Sequence, residues 1–530
     1  MKLFYSFIRP LFAATIFLLI VSPGCRKFED GLNNLTWSLN FNLVSTTWDI
    51  QFVDAQTGDL IGGLDTNRVE VSITGPDETY LIDLAGKKHN FFYSTYGFLS
   101  LALHPDRRDP DRENPVRFML HVRYPGYLPV SLPVITYTTG IHPVKVQLVN
   151  RSTAVPPVGI LNQQNLTQVV NGQTGDSLEL FTPLNQASLS IPKDTRLTTL
   201  HGAELGGSLS ITLGYFTGGN EVAVKSLPGG QMAVKTNQSY GQIYPAAALY
   251  IGLSDEYNKE AAFFDQPLHT TLLIDNRVYH PDDGSRISPA DSLDVWYQDI
   301  ETGTWRILQT IHLEAFQNKI LAHFPVNRTG LFMLGWIDDI LCKEPLSIHF
   351  NTLPEYRTLP YVFQASVYEV ISDEVRFIRQ ITVGNPIGQD ARLNNLPGNR
   401  ELIIRWNDYL NGPNAYYRAP DPLLYSNYCS SSAVDLDLLP KATSSLKEVH
   451  VVFIDRQHNN SRYIPQVFPG YYRQLGSTWQ SAFVYQGVAY LVNAREGATY
   501  ELGINFKGEF HRKKVVIGSG EVMEIEIEID

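Results

Sequence analysis

The sequence predicts an all-β chain, a series of antiparallel β-sandwiches behind a secretion signal. Three observations predict it. Apolar residues alternate with polar ones in many short runs, which puts one face of a strand in a core and the other in water. Turn signals separate the runs at short intervals, among them Thr57-Gly58-Asp59, Gly75-Pro76-Asp77, Asp282-Asp283-Gly284 and Thr302-Gly303. Sustained helical periodicity is missing, and only Asp255 to Phe264 reads as a short helix. Short strands with frequent turns build sandwiches rather than α/β units.

The alternating runs follow in order. Val69, Val71 and Ile73 are spaced by Glu70 and Ser72, and Val144, Val146 and Leu148 by Lys145 and Gln147. Leu209, Ile211, Leu213 and Tyr215 make a third row, Leu293, Val295 and Tyr297 a fourth, and Val449, Val451 and Phe453 a fifth. The chain ends on Glu524-Ile525-Glu526-Ile527-Glu528-Ile529, the cleanest alternation of all. Trp296 and Trp305 flank a Thr-Gly turn and are expected to pair across a hairpin.

Composition excludes several classes. At 530 residues the chain is long enough for several domains with their own cores. A 43% apolar content is too high for a disordered chain. The charged fraction is 18%, below the about 25% of typical globular proteins, which argues against a coiled coil. The net charge of -12 disfavours nucleic acid, which needs clustered Lys and Arg to neutralise phosphates. Three cysteines cannot staple a chain of this length.

The N-terminus carries Lys2 and Arg9, then an apolar run from Leu11 to Val21. That run is shorter than the about 20 residues that cross a bilayer, and reads as a secretory signal over residues 1–24. Val21-Ser22-Pro23-Gly24-Cys25 places small residues before a cysteine, and this resembles a bacterial lipobox. The resemblance implies acylation of Cys25, which would tie the chain to outer-membrane lipid, since several acyl chains make a stable anchor. Arg26-Lys27-Phe28-Glu29-Asp30 follows, a basic start and then two acids. It is similar to the surface-export signal of Bacteroidota lipoproteins, which implies exposure on the cell exterior, with the periplasmic face as the alternative.

Residues 25–38 read as a tether and residues 39–150 as the first sandwich. The latter holds Asp54-Ala55-Gln56-Thr57-Gly58, the valine-rich Val69-Glu70-Val71-Ser72-Ile73 and Tyr124-Pro125-Gly126-Tyr127 before its last strand. These motifs resemble the carboxypeptidase regulatory-like domains, a small transthyretin-like sandwich that implies a structural module and no catalysis. A Pro156-Pro157 linker leads to a middle β-rich domain over residues 158–343. Residues 344–440 and 441–530 then each have the length of one immunoglobulin-sized sandwich.

Catalytic signatures are missing: there is no H-E-x-x-H, no G-x-S-x-G elbow and no P-loop, and no cofactor is called for. Asp109, Asp111 and Glu113 alternate like ligands for a hard cation, but Arg107, Arg108 and Arg112 already neutralise them, and a self-paired charged loop is the simpler reading. An aromatic stretch is the one candidate ligand site. Trp406, Asp408, Tyr409, Tyr416, Tyr417, Tyr425 and Tyr428 lie among Asn, Gly and Pro, as in a long loop. Flat rings beside amides and carboxylates suit sugars, although a loop plugging its own domain edge explains the same residues more simply. Cys342 and Cys429 are the cysteines left after Cys25, and export would permit a bridge between them. The expected function is therefore a non-enzymatic surface lipoprotein, a stalk of sandwiches that binds or scaffolds another surface protein. The alternative is a glycan-binding accessory of a polysaccharide-uptake system.

Overall fold

The computed structural model describes residues 44–529 except positions 65–66, 155, 229–232, 236–239, 300–302, 339, 343, 352–361, 372–373, 385–390, 399, 409–419, 426–428, 430–432, 441–445, 456–460, 466, 507–508 and 520–521. The chain is all-β, built from sheets that fall into four groups along the sequence. Strands mostly pair antiparallel. Among the described residues three pairings are parallel, and each brings together segments distant in sequence: Thr46–Asp54 with Gly140–Leu148, Leu346–Asn351 with Val434–Asp437, and Leu446–Asp455 with Val522–Ile529.

The first unit has two four-stranded sheets. One holds Leu81–Ile82, Phe98–Leu103, Thr46–Asp54 and Gly140–Leu148; the other holds Phe92–Tyr93, Glu70–Thr74, Val116–Arg123 and Val130–Thr136. Trp48, Ile50, Phe52, Val71 and Leu120 close the core between them, and Trp48 Nε1 donates to Thr136 Oγ1 at 2.9 Å. The turn after Thr46–Asp54 follows from its sequence. Asp54 Oδ1 accepts the N–H groups of Gln56 (2.8 Å) and Thr57 (3.0 Å), and Gly58 takes the left-handed backbone (φ 75°) that the turn requires. Tyr127 Oη donates to Asp54 Oδ2 at 3.1 Å, so the two motifs that mark this unit in the sequence meet at one corner.

The second unit is dominated by a twelve-stranded sheet. Its core runs through Leu189, Leu213, Leu249, Leu272, Leu293, Phe324 and Phe332. Trp296 and Trp305 do sit on the two arms of a hairpin, Ser292–Gln298 and Trp305–Phe316, but they are not partners. A register shift at Val295/Trp296 sets Trp296 opposite Ile307 and Trp305 opposite Gln298. The expected helix at Asp255 to Phe264 is a turn instead. The Asp255 carboxylate accepts from Tyr257 N and Lys259 N, both at 2.9 Å, and Phe263–Ile274 is a strand.

The third unit pairs a three-stranded sheet with the four-stranded sheet of Glu374–Gly384, Val362–Ile371, Leu402–Asp408 and Leu423–Tyr425. The fourth is one eight-stranded sheet. Its last strand, Val522–Ile529, buries Ile525 and Ile527 and leaves Glu524 exposed and Glu526 half-buried, both paired with Arg462.

The units do not stand in a row. Ile82, Leu84 and Ala102 of the first unit share a core with Val449, Phe453, Phe468 and Tyr472 of the fourth. Leu128 and Val149 of the first share another with Phe216, Trp296 and Met333 of the second. Tyr244 of the second joins the core of the third. The stalk expected from the sequence is thus a chain folded back, its first unit against its last. Pooled apolar cores bury surface that separate small sandwiches would leave in water.

Candidate functional site

The aromatic stretch begins with a correction. Trp406 is no loop residue. It lies in strand Leu402–Asp408, 5% exposed, with its ring 5.7 Å from Phe350 and 6.4 Å from Phe363, both edge-on. The alternation Leu402, Ile404, Trp406 points it into the core of the third unit, so it offers no flat face to a sugar. Asp408 ends that strand and Tyr425 ends the strand beside it; their backbones are described and their side chains are not. Tyr409, Tyr416, Tyr417 and Tyr428 lie outside the described residues, as does Cys25.

Cys342 and Cys429 form a disulfide, with Cα atoms 5.0 Å apart and a sequence separation of 87. It ties the entry of the third unit to the segment after Leu423–Tyr425. In the charged loop, Arg108 pairs with Asp111 at 2.7 Å, Arg107 reaches Asp77 at 2.7 Å, and Asp109 accepts from Ser45. Asp111 Oδ1 also takes the N–H groups of Glu113 and Asn114. Asp111 is thus satisfied within the loop, while Asp109, Arg107 and Arg112 reach Ser45, Asp77 and Glu344 outside it. Among the described residues, no three His, Cys, Asp or Glu side chains are grouped to hold a metal ion.

The buried polar chemistry lies at the joints between units, where the sequence pattern did not point. Asp49 and Gln51 project from the outer face of the first unit onto the fourth. Tyr471 Oη donates to Asp49 Oδ1 at 2.9 Å and Ser481 Oγ donates to Oδ2 at 2.8 Å. Gln51 Nε2 reaches Ser481 Oγ at 3.1 Å, and Ser100 Oγ lies 2.8 Å from Tyr471 Oη. Burial pushes the Asp49 carboxyl up to about 6, against the pull of its two hydroxyl donors. Beside this cluster Tyr96, held at φ 52°, lies tilted against Trp479 and edge-on to Phe510, and Arg473 lies 4.6 Å over the Trp479 ring. Gly97 makes the turn possible: it is left-handed (φ 83°), and a Cβ there would lie 2.9 Å from the Ile61 carbonyl oxygen.

A second cluster joins the second and third units. Glu369, 1% exposed, pairs with Arg376 at 2.6 Å and Arg400 at 3.3 Å; Arg400 also holds Asp338 at 3.0 Å. Arg376 donates to the Tyr279 carbonyl at 2.6 Å and lies 4.4 Å over the Tyr244 ring. Burial pushes the Glu369 carboxyl up, and the two guanidinium groups pull it back. Two surface-type residues, Arg and Glu, are the only signal for this cluster in the sequence, and nothing in their spacing separates them from solvated charges.

Two histidines of the first unit carry a pH signature. Burial holds His142 and His121 each down to about 4. His142 Nε2 lies 2.8 Å from the Thr138 carbonyl, which fixes it as the donor, and the ring packs near Trp48. A histidine held below its ordinary value binds fewer protons folded than unfolded. Its stabilisation is complete above about pH 6.5 and drains as pH falls towards 4. His142 is therefore expected to cost the fold about 2 kcal/mol between pH 7 and pH 5. Urea midpoints at the two pH values test this, and a His142→Gln variant should lose that part of the pH dependence.

No family model matches the chain, and no curated protein matches it. Some solved structures do. A minor pilin of Streptococcus agalactiae is 10% identical over 36% of this chain and 97% of its own, with a TM-score of 0.16. A shaft pilin of Lactobacillus rhamnosus GG is 10% identical over 35% of this chain and 98% of its own, with a TM-score of 0.16. The Bacillus anthracis TIE protein is 13% identical over 71% of this chain and 59% of its own, with a TM-score of 0.15.

Proposed function

We propose that the chain is a non-enzymatic lipoprotein of the cell surface, anchored in the outer membrane through acylated Cys25, whose clasped sandwiches serve as a binding or scaffold module. One observation carries the scaffold reading: the carboxylates buried at the joints between units find their partners inside the chain. Asp49 is satisfied by hydroxyls of the fourth unit, and Glu369 and Asp338 by arginines of the third. Such groups in a catalytic cleft would face a substrate. The anchor rests on the leader and lipobox, residues 1–25. No helix among the described residues is long and apolar enough to cross a membrane. The carboxypeptidase regulatory-like reading of the first unit is supported by its two four-stranded sheets and by the Asp54–Tyr127 corner.

Metabolic labelling with a palmitate analogue tests the anchor. The wild-type chain should take up label and partition into detergent, and Cys25→Ser should do neither. A Cys25→Ser chain that still labels would overturn the assignment. Protease added to intact cells then reads orientation: cleavage without lysis is expected for an outward-facing module.

A further inference from the structure

We propose that the joint between the first and fourth units is a proton-tightened clasp: uptake of one proton at Asp49 fastens the two units, and its loss makes them easier to part. The geometry starts in strand Thr46–Asp54, which is buried along its whole length. Trp48, Ile50 and Phe52 fill the core of the first unit, so Asp49 and Gln51 must point the other way. There they meet strands Val467–Gln474 and Gln480–Tyr485 of the fourth unit, through Tyr471 and Ser481.

With Asp49 ionised, every proton in the cluster has one place. Tyr471 and Ser481 give theirs to the carboxylate, Ser100 gives its own to Tyr471, and Gln51 gives one to Ser481. Two neutral donors are the whole compensation, because Asp49 has no ion-pair partner among the described residues. A buried carboxylate without a cation is costly, and the neutral acid is favoured. Opening the joint returns Asp49 to water and to its ordinary acidity.

The other charged groups around the joint can be placed. On strand Gly140–Leu148, Lys145 lies opposite Gln51 on the same face, and burial pushes its ammonium down. His142 lies opposite Trp48, on the core face. From the fourth unit, Arg473 is paired with Glu501 at 2.5 Å and leans on Trp479, and Tyr485, pushed up by burial, meets the Ile141 backbone. Phe98–Leu103, which carries Ser100, has no charged side chain.

The sign follows from linkage. The closed joint holds the Asp49 proton to about pH 6, and the open joint releases it near 3.8. Between pH 5 and pH 7 the opening equilibrium should therefore rise about tenfold. Hydrogen exchange of the full chain, corrected for intrinsic rates, reads this on the amides of Gln480–Tyr485, which lie in the fourth unit, apart from His142 and His121. Protection there should fall about tenfold from pH 5 to pH 7, while Ser210–Thr217 in the second unit stays level. Asp49→Asn, which mimics the neutral acid, should flatten the change and leave Lys145 in place. Ser481→Ala removes one donor from the carboxylate, so its loss of protection should be larger at pH 7 than at pH 5. A wild-type chain with no pH dependence at the joint, an equal change at Ser210–Thr217, an undiminished change in Asp49→Asn, or an equal loss at both pH values in Ser481→Ala would each overturn the clasp.

Discussion

Trp406→Ala should cost the third unit about 3–5 kcal/mol, the range for removing a buried aromatic from a packed core. The indole is 5% exposed and meets Phe350 and Phe363 edge to face. Its strand pairs with Val362–Ile371, where Ala365 sits opposite and leaves room for the ring. Truncation would open a cavity among Phe350, Phe363, Ile404 and Leu402, whose backbones are fixed by sheet pairing and cannot collapse inward. Trp406→Phe should cost much less. It keeps most of the ring and removes the indole N–H, which finds no acceptor in the core. Denaturant titration of both variants checks this. A Trp406→Ala chain as stable as wild type that has lost affinity for a polysaccharide would restore the sugar-binding reading.

The strands were legible because alternation is a local property. Val449, Val451 and Ile525 are read from the sequence as inward-facing, and they are buried. The joints were not legible, for a reason the same rule supplies. Alternation assigns every polar position to water, so Asp49, Gln51 and Ser100 read as solvent face and their burial under the fourth unit is invisible. Glu369 and Arg400 fail in the same way. The Trp406 error has a different origin. Gly412, Pro413 and the crowd of Tyr pulled the loop boundary too far towards the N-terminus, although Leu402, Ile404 and Trp406 already alternate. Asp255 misled because its side chain caps a tight turn in the way a helix start is capped. The turn at Asp54 is legible because its parts are local: the Asp54 carboxylate accepts from Gln56 and Thr57, and Gly58 supplies the left-handed backbone.

Arg400→Ala should loosen the joint of the second and third units by about 3–5 kcal/mol, because it strips a cation from two buried carboxylates at once. Asp338 is 7% exposed and keeps no other ion-pair partner among the described residues; Glu369 is 1% exposed and keeps only Arg376. Across the joint Arg400 also donates to the Pro281 carbonyl and lies 3.6 Å from Asp282. Most of the cost is the stranded charge rather than the lost attraction, so neutralising a partner should recover part of it. A double-mutant cycle of Arg400→Ala with Glu369→Gln is expected to show strong coupling, with the double variant more stable than the two single losses added together. The pH dependence gives an independent reading. Without Arg400 the Glu369 carboxyl rises further, and a folded carboxyl held above its unfolded value destabilises as pH climbs through that interval. The Arg400→Ala loss should therefore be smaller at pH 5 than at pH 8. A loss of equal size at both, with additive single variants, would mean that Arg400 acts by packing alone and that the carboxylates are held by something other than its charge.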